Sequence, residues 1–462
     1  MTLIKSISGI RGTIGGKPGD NLTPLDTVKF AAAYGTWLKQ QRNKDNYKVV
    51  IGRDARISGS MVQQLVMNTL TGMGIDVVDL DLSTTPTVEV AVPMEHADGG
   101  IILTASHNPK QWNALKLLNA KGEFLNGVEG EKILKIADAN DFDFAEVDEL
   151  GEIFINDAYI DIHIDEVLNL ELVDEDVIAA ANFKVVVDGV NSTGGIAIPL
   201  LLERLGVETV KLYCEPNGEF PHNPEPLKEH LGDICKLVVK ENADLGIVVD
   251  PDVDRLAFIT EKGEMFGEEY TLVACADYVL SETKGNTISN LSSSRALRDV
   301  TESHGGEYFA SAVGEVNVVE LMKDKKAVIG GEGNGGIIYP ELHYGRDSLV
   351  GVALFLTHLA KKKMAVSDLR ASYPSYFMSK NKIQLTPQLD VDKILAAVAE
   401  HYKNEEVSTV DGVKIDFEKH WVHLRKSNTE PIIRIYTEAQ TQNEADQIAE
   451  DMIEHIKKVA GL

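Results

Sequence analysis

The run Gly99-Gly100-Ile101-Ile102-Leu103-Thr104-Ala105-Ser106-His107-Asn108-Pro109 sets the reading of the whole chain. Its small and apolar half reads as a strand buried on both faces, and its polar half falls where that strand ends. Open α/β sheets bind their ligands beyond the carboxyl ends of the strands, so polar residues there are site candidates. Upstream the pattern predicts a helix over 24–41, a strand over 47–54, a helix over 58–74, a strand over 75–81 and a helix over 86–94. After the acidic stretch 138–152 the alternation resumes with strands at 184–188, 210–215 and 243–250 and a helix over 194–205. A third round has helices over 316–323 and 348–363 with a strand at 327–333 between them. The last part differs, with a helix over 391–402, strands at 412–417, 420–427 and 431–439, and a helix over 443–459. The fold class expected is therefore α/β: three doubly wound mixed α/β domains over 1–150, 151–255 and 256–370, then an α+β domain over 371–462.

A chain of 462 residues exceeds one hydrophobic core, in keeping with several domains. Its formal charge of −27 argues against nucleic acid or an anionic membrane surface as partner. No apolar run approaches the roughly 20 residues that span a bilayer, and the opening MTLIKSISGIRGTIGG lacks the apolar core of a signal peptide. A cytoplasmic protein is expected. Cys214, Cys235 and Cys275 show no C-x-x-C spacing and read as reduced core thiols.

Five stretches break the core pattern with polar residues at strand ends. In Ser8-Gly9-Ile10-Arg11-Gly12, glycines flank a lone arginine, which suits either a surface turn or close approach to a ligand. Ser106 reads as the N-cap of a helix with Pro109 just inside it, a geometry that also offers N–H groups and a helix dipole to a phosphate on the serine. His107 adds a second cation, a proton shuttle or a structural hydrogen bond, and Asn113 and Lys116 add polar groups downstream. Asp250, Asp252 and Asp254, at alternate positions after the strand LGIVV, converge on one side of an extended chain, and a divalent cation accounts best for three carboxylates packed together. An all-oxygen donor set suits Mg²⁺. An EF-hand is excluded because Arg255 stands where its loop needs glycine. The loop Gly330 to Gly336 offers Glu332 and Asn334 to hydroxyl or amino groups, or serves as a flexible turn. The stretch Arg425 to Arg434, with Ser427, Asn428 and Thr429 between its arginines, reads as a phosphate cradle. No G-x-x-x-x-G-K-[ST] loop is present, so ATP is not the obvious phosphate source.

Taken in order, TASHNP, DPDVDR, GEGNGG and RKSNTEPIIR resemble the four signature loops of the α-D-phosphohexomutase family, and the resemblance covers essentially the whole chain. It implies four domains around a central cleft with one loop from each. It further implies that Ser106 carries phosphate in the active form and that Asp250, Asp252 and Asp254 hold Mg²⁺ together with it. By the same resemblance Arg11, Arg255, His107 and Lys116 surround the transferred phosphate, and Glu332 and Asn334 face the sugar. Arg425, Ser427, Asn428, Thr429 and Arg434 match the loop for the second phosphate. One departure stands out: the family pattern G-E-x-S-G-H has Asn334 in place of its serine and Gly336 in place of its histidine, with His343 and Arg346 as possible substitutes.

The chemistry expected is reversible phosphoryl transfer between C6 and C1 of a hexose phosphate through phospho-Ser106 and a hexose bisphosphate, which doubles as activator. Glucosamine phosphate is the first choice of sugar, with mannose or glucose phosphate as the alternative. Two further readings stand beside it: a phosphatase using Asp250 as nucleophile, and a sugar-phosphate-binding protein without activity.

Overall fold

The computed structural model describes residues 2–6, 9–41, 44, 46–384, 390–426 and 432–460. The chain divides into two compact units, Met1–Val279 with Asn334–Leu369, and Leu280–Gly333 with Arg370–Leu462.

The first unit holds two sheets. The larger has seven strands in the order Ile4–Ser6, Gly9–Thr13, Trp112–Leu118, Gly99–Leu103, Tyr47–Arg53, Ile75–Leu82 and Ile153–Ile155. Its last four run parallel and its first four antiparallel. The smaller has Leu256–Thr260, Leu245–Val249, Lys184–Asp188 and Glu208–Leu212, antiparallel only between the first two. Every residue of Gly99–Leu103 and of Leu245–Val249 is buried, as continuous apolar runs in covered sheets require. Helices Pro24–Gln41 and Gly59–Gly72 pack in one core with Val49, Ile51 and Ile101, and helix Thr85–Met94 supplies Val88 and Val92 to another with Val50 and Ile102. The two cores therefore cover opposite faces, because alternate strand residues point to opposite sides.

Helix Ser348–Lys362 starts at the N-cap Asp347, whose carboxylate accepts from the Leu349 and Val350 N–H groups, and it is buried from Ser348 to Ala360. Polar side chains are therefore sparse along it, as burial on all sides demands. Phe355 of this helix stacks on Phe258 at 3.8 Å, with Phe266 edge-on to both.

In the second unit, Tyr308–Ser311, Asn286–Asn290 and Ala327–Glu332 form parallel ladders. A separate antiparallel sheet has Phe377–Gln384, Ile432–Ala439, Trp421–Lys426, Val413–Asp416 and Glu406–Ser408, with helices Val391–His401 and Gln442–Ala460 contributing to its core. Strand Phe377–Gln384 alternates between buried and exposed positions near its end, as a sheet covered on one face should.

The first sheet is mixed, as expected, with half its pairings antiparallel. Two other expectations change. Ser8 to Gly12, read as a surface turn or a close approach to a ligand, falls largely in strand Gly9–Thr13, which pairs with Trp112–Leu118. All three cysteines are free, but only Cys275 is fully buried, because Cys214 follows a strand end and Cys235 lies on a half-exposed helix. Among the described residues no helix is long and apolar enough to cross a membrane.

Replacing Phe355 with Ala should cost about 3–5 kcal/mol of stability through the lost stack and the cavity left behind, read as a lower urea midpoint for the transition of the first unit.

Candidate active site

Strand Gly99–Leu103 delivers Ser106 to the site, but no helix follows it. The chain turns and returns as the antiparallel strand Trp112–Leu118, so the expected helix N-terminus beneath the serine is absent. The reason lies in Arg56, a buried residue that the sequence pattern did not single out. Its guanidinium donates to the carbonyls of Ser106, Asn108, Pro109 and Trp112, groups that a helix would bond internally. Asp54 holds Arg56 Nε at 2.9 Å in a fully buried ion pair, and breaking such a pair from one side costs about 3–5 kcal/mol. Asp54 Oδ2 also accepts from Thr104 Oγ1, which accepts the Ser106 N–H at 2.9 Å. Ser106 is thereby fixed at φ +49°, a left-handed conformation that costs a serine energy without such support.

Ser106 Oγ donates to Asp250 Oδ2 at 2.7 Å. The aspartates lie in a turn between strands Leu245–Val249 and Leu256–Thr260, fully buried, with ligand oxygens all within 4.8 Å of one another. Val253 sits inside that turn at φ +65°, which is severe for a β-branched residue. Asp250 Oδ1 accepts the Asp254 and Arg255 N–H groups, both at 3.1 Å. Asp252 Oδ2 accepts from Thr85 Oγ1 and from Lys116 Nζ at 2.7 Å, and Asp254 Oδ2 from Arg346 Nη2 at 2.7 Å. Asp252 Oδ1 and Asp254 Oδ1 are buried and have no hydrogen-bond partner among the described residues. Two orphaned carboxylate oxygens beside Asp250 Oδ2 and Ser106 Oγ make an all-oxygen donor set that fits Mg²⁺.

The electrostatics agree. Burial, then the neighbouring Asp252 and Asp254, pushes Asp250 well above the usual carboxylate range. Asp252 goes the other way: burial opposes its charge, but Lys116 outweighs burial and holds it low. Burial likewise opposes the Lys116 ammonium, and Asp252 and Asp254 more than compensate.

Facing the carboxylates is a group of cations. Arg11 extends from strand Gly9–Thr13 to Asn108 Oδ1 at 3.5 Å, and burial followed by repulsion from Arg255 lowers its pKa. Arg255 Nη1 pairs with Glu225 at 3.0 Å, while its buried Nε has no hydrogen-bond partner among the described residues. Guanidiniums that repel one another under burial favour an anion between them. His107 Nδ1 lies 3.4 Å from Ser106 Oγ, and burial, then Arg255, pushes the imidazole down to about 3. Burial thus disfavours the imidazolium, so of the three readings of His107 the second cation fits least.

Arg346 takes that place. A β-carbon built on Gly336 would meet Arg346 Cδ at 2.3 Å and Cγ at 3.0 Å, so the arginine lies in the space that any side chain at 336 would fill. The glycine in the loop and the guanidinium on Asp254 are one feature. Asn334 Oδ1 accepts the Gly336 N–H at 3.2 Å.

Glu332 belongs to the second unit. Its Oε1 accepts from Asn290 Nδ2 at 2.9 Å and from the Gly314 N–H at 3.2 Å. Arg425 and Arg434 stand directly across adjacent strands, and Lys382 stands across from Arg434 on the other side. Arg425 is tied to Asp411 at 2.8 Å, whereas Arg434 and Lys382 are exposed. Like charges directly opposite destabilise a sheet, so this row favours an anion. Lys382 escapes a reading of the sequence because its partners are remote along the chain. Ser427, Asn428 and Thr429 lie outside the described residues.

Known proteins resemble the chain over nearly its whole length. Family models described as phosphoglucomutase/phosphomannomutase match the chain in four successive pieces: alpha/beta/alpha domains I, II and III over residues 3–144, 161–263 and 267–376, and the C-terminal domain over 385–455. A phosphoglucomutase/phosphomannomutase from Thermococcus kodakarensis is 35% identical, with 95% of this chain and 96% of that one covered. A probable phosphoglucosamine mutase from Methanopyrus kandleri is 31% identical, with 98% and 97% covered. The crystal structure of a phosphoglucomutase/phosphomannomutase family protein from Burkholderia thailandensis is 26% identical, with a TM-score of 0.85 and coverage of 99% and 98%.

Two outcomes are expected. Gly336→Ala displaces Arg346 and lowers kcat about as much as Arg346→Ala does, and the double variant loses little more, because both changes remove one contact. Histidine-labelled NMR should show the His107 ring neutral through its ordinary value of 6.5 and protonating only toward about 3. Since the unfolded chain then takes the proton first, His107 contributes stability that is whole above 6.5 and is lost on acidification toward about 3, a loss that His107→Gln removes.

Proposed function

The chain belongs to the phosphoglucomutase/phosphomannomutase family of α-D-phosphohexomutases, and on that footing we propose that it moves phosphate between C6 and C1 of a hexose phosphate with Ser106 as the relay. The observation that carries this reading is the 2.7 Å contact of Ser106 Oγ with Asp250 beside two orphaned carboxylate oxygens. A serine held at a metal-ready triad, with the buried Arg346 and the half-buried Arg11 and Arg255 nearby, is equipped to carry a phosphoryl group and give it up again.

In this reading phospho-Ser106 faces a sugar hydroxyl. The phosphorus–Oγ bond breaks, a bond to the sugar oxygen forms, and the hydroxyl proton ends on Ser106 Oγ, which then donates to Asp250 Oδ2 as observed. Arg11, Arg255 and Arg346 orient the transferring group and offset its charge, and Lys116 keeps Asp252 ionised. Mg²⁺, held by Asp250, Asp252, Asp254 and the serine-bound phosphate, supplies Lewis-acid neutralisation of that group when bound. The resulting hexose bisphosphate returns its other phosphate to Ser106, and the same bisphosphate added from outside primes the enzyme. His107, neutral beside Oγ, serves as a hydrogen-bonding partner and not as a cation. Arg425, Arg434 and Lys382 are assigned to the phosphate that is not reacting, with Ser427, Asn428 and Thr429 beside them by resemblance, and Glu332 and Asn334 to the sugar hydroxyls.

Glucosamine phosphate is the substrate proposed first, in line with the relative from Methanopyrus kandleri, and mannose or glucose phosphate second, in line with that from Thermococcus kodakarensis. The cytoplasm is the proposed location. The phosphatase reading has less support, because Asp250 Oδ1 is engaged by two backbone N–H groups and Oδ2 accepts the Ser106 hydroxyl, which puts the serine between that carboxylate and any incoming phosphate.

Phosphorus NMR with Mg²⁺, trace hexose 1,6-bisphosphate and each hexose 6-phosphate in turn should show a new 1-phosphate signal without inorganic phosphate. Ser106→Ala should lower that turnover on the order of 10⁴-fold or more, as loss of a nucleophile does. Release of inorganic phosphate that survives Ser106→Ala would overturn the mutase reading in favour of the phosphatase.

A further inference from the structure

A second cluster lies in the first unit, beside the Asp250 turn, where the Ser348 N–H next to Asp347 donates to the Val253 carbonyl at 3.2 Å. His163 of helix Tyr159–Leu168 and Asp347, the N-cap of helix Ser348–Lys362, are completely buried, and His343 sits at their edge, 10% exposed. Both histidines aim Nε2 at one oxygen: Asp347 Oδ2 lies 2.9 Å from His163 Nε2 and 3.2 Å from His343 Nε2. The three atoms lie within 4.8 Å of one another. Behind them, helix Thr85–Met94 engages both outer nitrogens, with Thr87 Oγ1 at 3.0 Å from His163 Nδ1 and Glu89 Oε2 at 3.4 Å from His343 Nδ1. Gly345 admits the glutamate, since a β-carbon there would lie 1.8 Å from Glu89 Oε2.

We propose that His163 Nε2, His343 Nε2 and Asp347 Oδ2 hold a second metal ion, of the zinc class, distinct from the ion expected at the aspartate turn. Hydrogen bonding alone fits the cluster less well. If Asp347 Oδ2 accepts an N–H from both rings, then His343 Nδ1 can face the Glu89 carboxylate favourably only if that ring carries two protons. With an ion on the Nε2 lone pairs, each ring needs one proton, and His343 directs its own at Glu89. An oxygen partner on the outer nitrogen of each ligating histidine is how protein zinc sites orient their imidazoles. Two imidazoles and a carboxylate are zinc donors, whereas Mg²⁺ prefers oxygen alone, so the two sites sort their metals by chemistry. The ion would tie helices Thr85–Met94 and Tyr159–Leu168 to the loop that carries Arg346, one residue from Asp347. It thereby steadies the guanidinium on Asp254.

The test uses full-length, tag-free protein stripped with a chelator, then given excess Mg²⁺ to fill the aspartate turn. Zinc retained after gel filtration is measured by mass spectrometry, and Co²⁺ is added separately for its visible d–d absorption. One equivalent of zinc per chain is expected, along with an intense cobalt spectrum, and both should vanish in His343→Gln, the partly exposed and least disruptive ligand change. Glu89→Gln should bind zinc about 10–100-fold more weakly. No retained zinc in the unaltered protein, or a cobalt spectrum unchanged in His343→Gln, would overturn the proposal. His163→Ala serves as a third variant where it folds, and the readings stand without it. Because metal content and absorption are read instead of turnover, the outcome is independent of the mutase assignment.

Discussion

Three carboxylates cannot share a buried turn without positive charge, and much of the first unit is arranged around that constraint. Asp250, Asp252 and Asp254 are fully buried and their ligand oxygens lie within 4.8 Å of one another. Lys116 and Arg346 reach their outer oxygens from distant parts of the chain, which still leaves two inner oxygens without a partner among the described residues. A divalent cation would complete the balance that two side-chain cations begin. In a chain of charge −27, anionic surroundings make the arginines gathered beside this turn a favourable landing point for a phosphate ester.

Both turns that meet at the candidate site carry backbone strain. Ser106 and Val253 both adopt positive φ, one in the serine turn and one in the aspartate turn, and the two turns meet at the Ser106–Asp250 hydrogen bond. Such conformations persist only when their surroundings over-determine them. For the serine turn that role falls to Arg56, whose guanidinium gathers four carbonyls while Asp54 and Thr104 anchor it from behind. Its five donors in a rigid fork suit the task in a way a lysine would not. A pre-set serine has little reorganisation left to do when charge develops, which is the usual source of electrostatic catalysis.

Gly336 and Arg346 show how a departure from a family pattern can keep positive charge at a site by different means. The loop gives up a side chain at 336, and an arginine ten positions later occupies the vacated space and faces the aspartate turn. Substituting a permanent cation for an imidazole removes a titrating group from the site. With the His107 imidazole pushed down by burial, the positive charge beside the aspartate turn comes from guanidiniums and Lys116.

What could be read without coordinates is what local chemistry controls. Runs such as LGIVV and GGIIL are strands because nothing but burial on both faces suits them, and the helices read over 24–41 and 348–363 follow from apolar patterning. Ser106 and the three aspartates were legible because hydroxyl and carboxylate groups at the ends of buried strands are costly to desolvate unless a ligand or ion meets them. Long-range packing settled the rest. Whether TASHNP opens a helix or an antiparallel return depends on where Arg56, some fifty residues upstream, puts its donors, and no local propensity encodes that. Lys382 joins Arg434 and Arg425 only through strand register, and His163 meets His343 and Asp347 only through the packing of helices far apart in the chain. Each segment takes its form from forces that act over a turn or a strand, which a short window of residues contains. Which charges face one another depends on contacts between windows, and in this protein the site is made of those meetings.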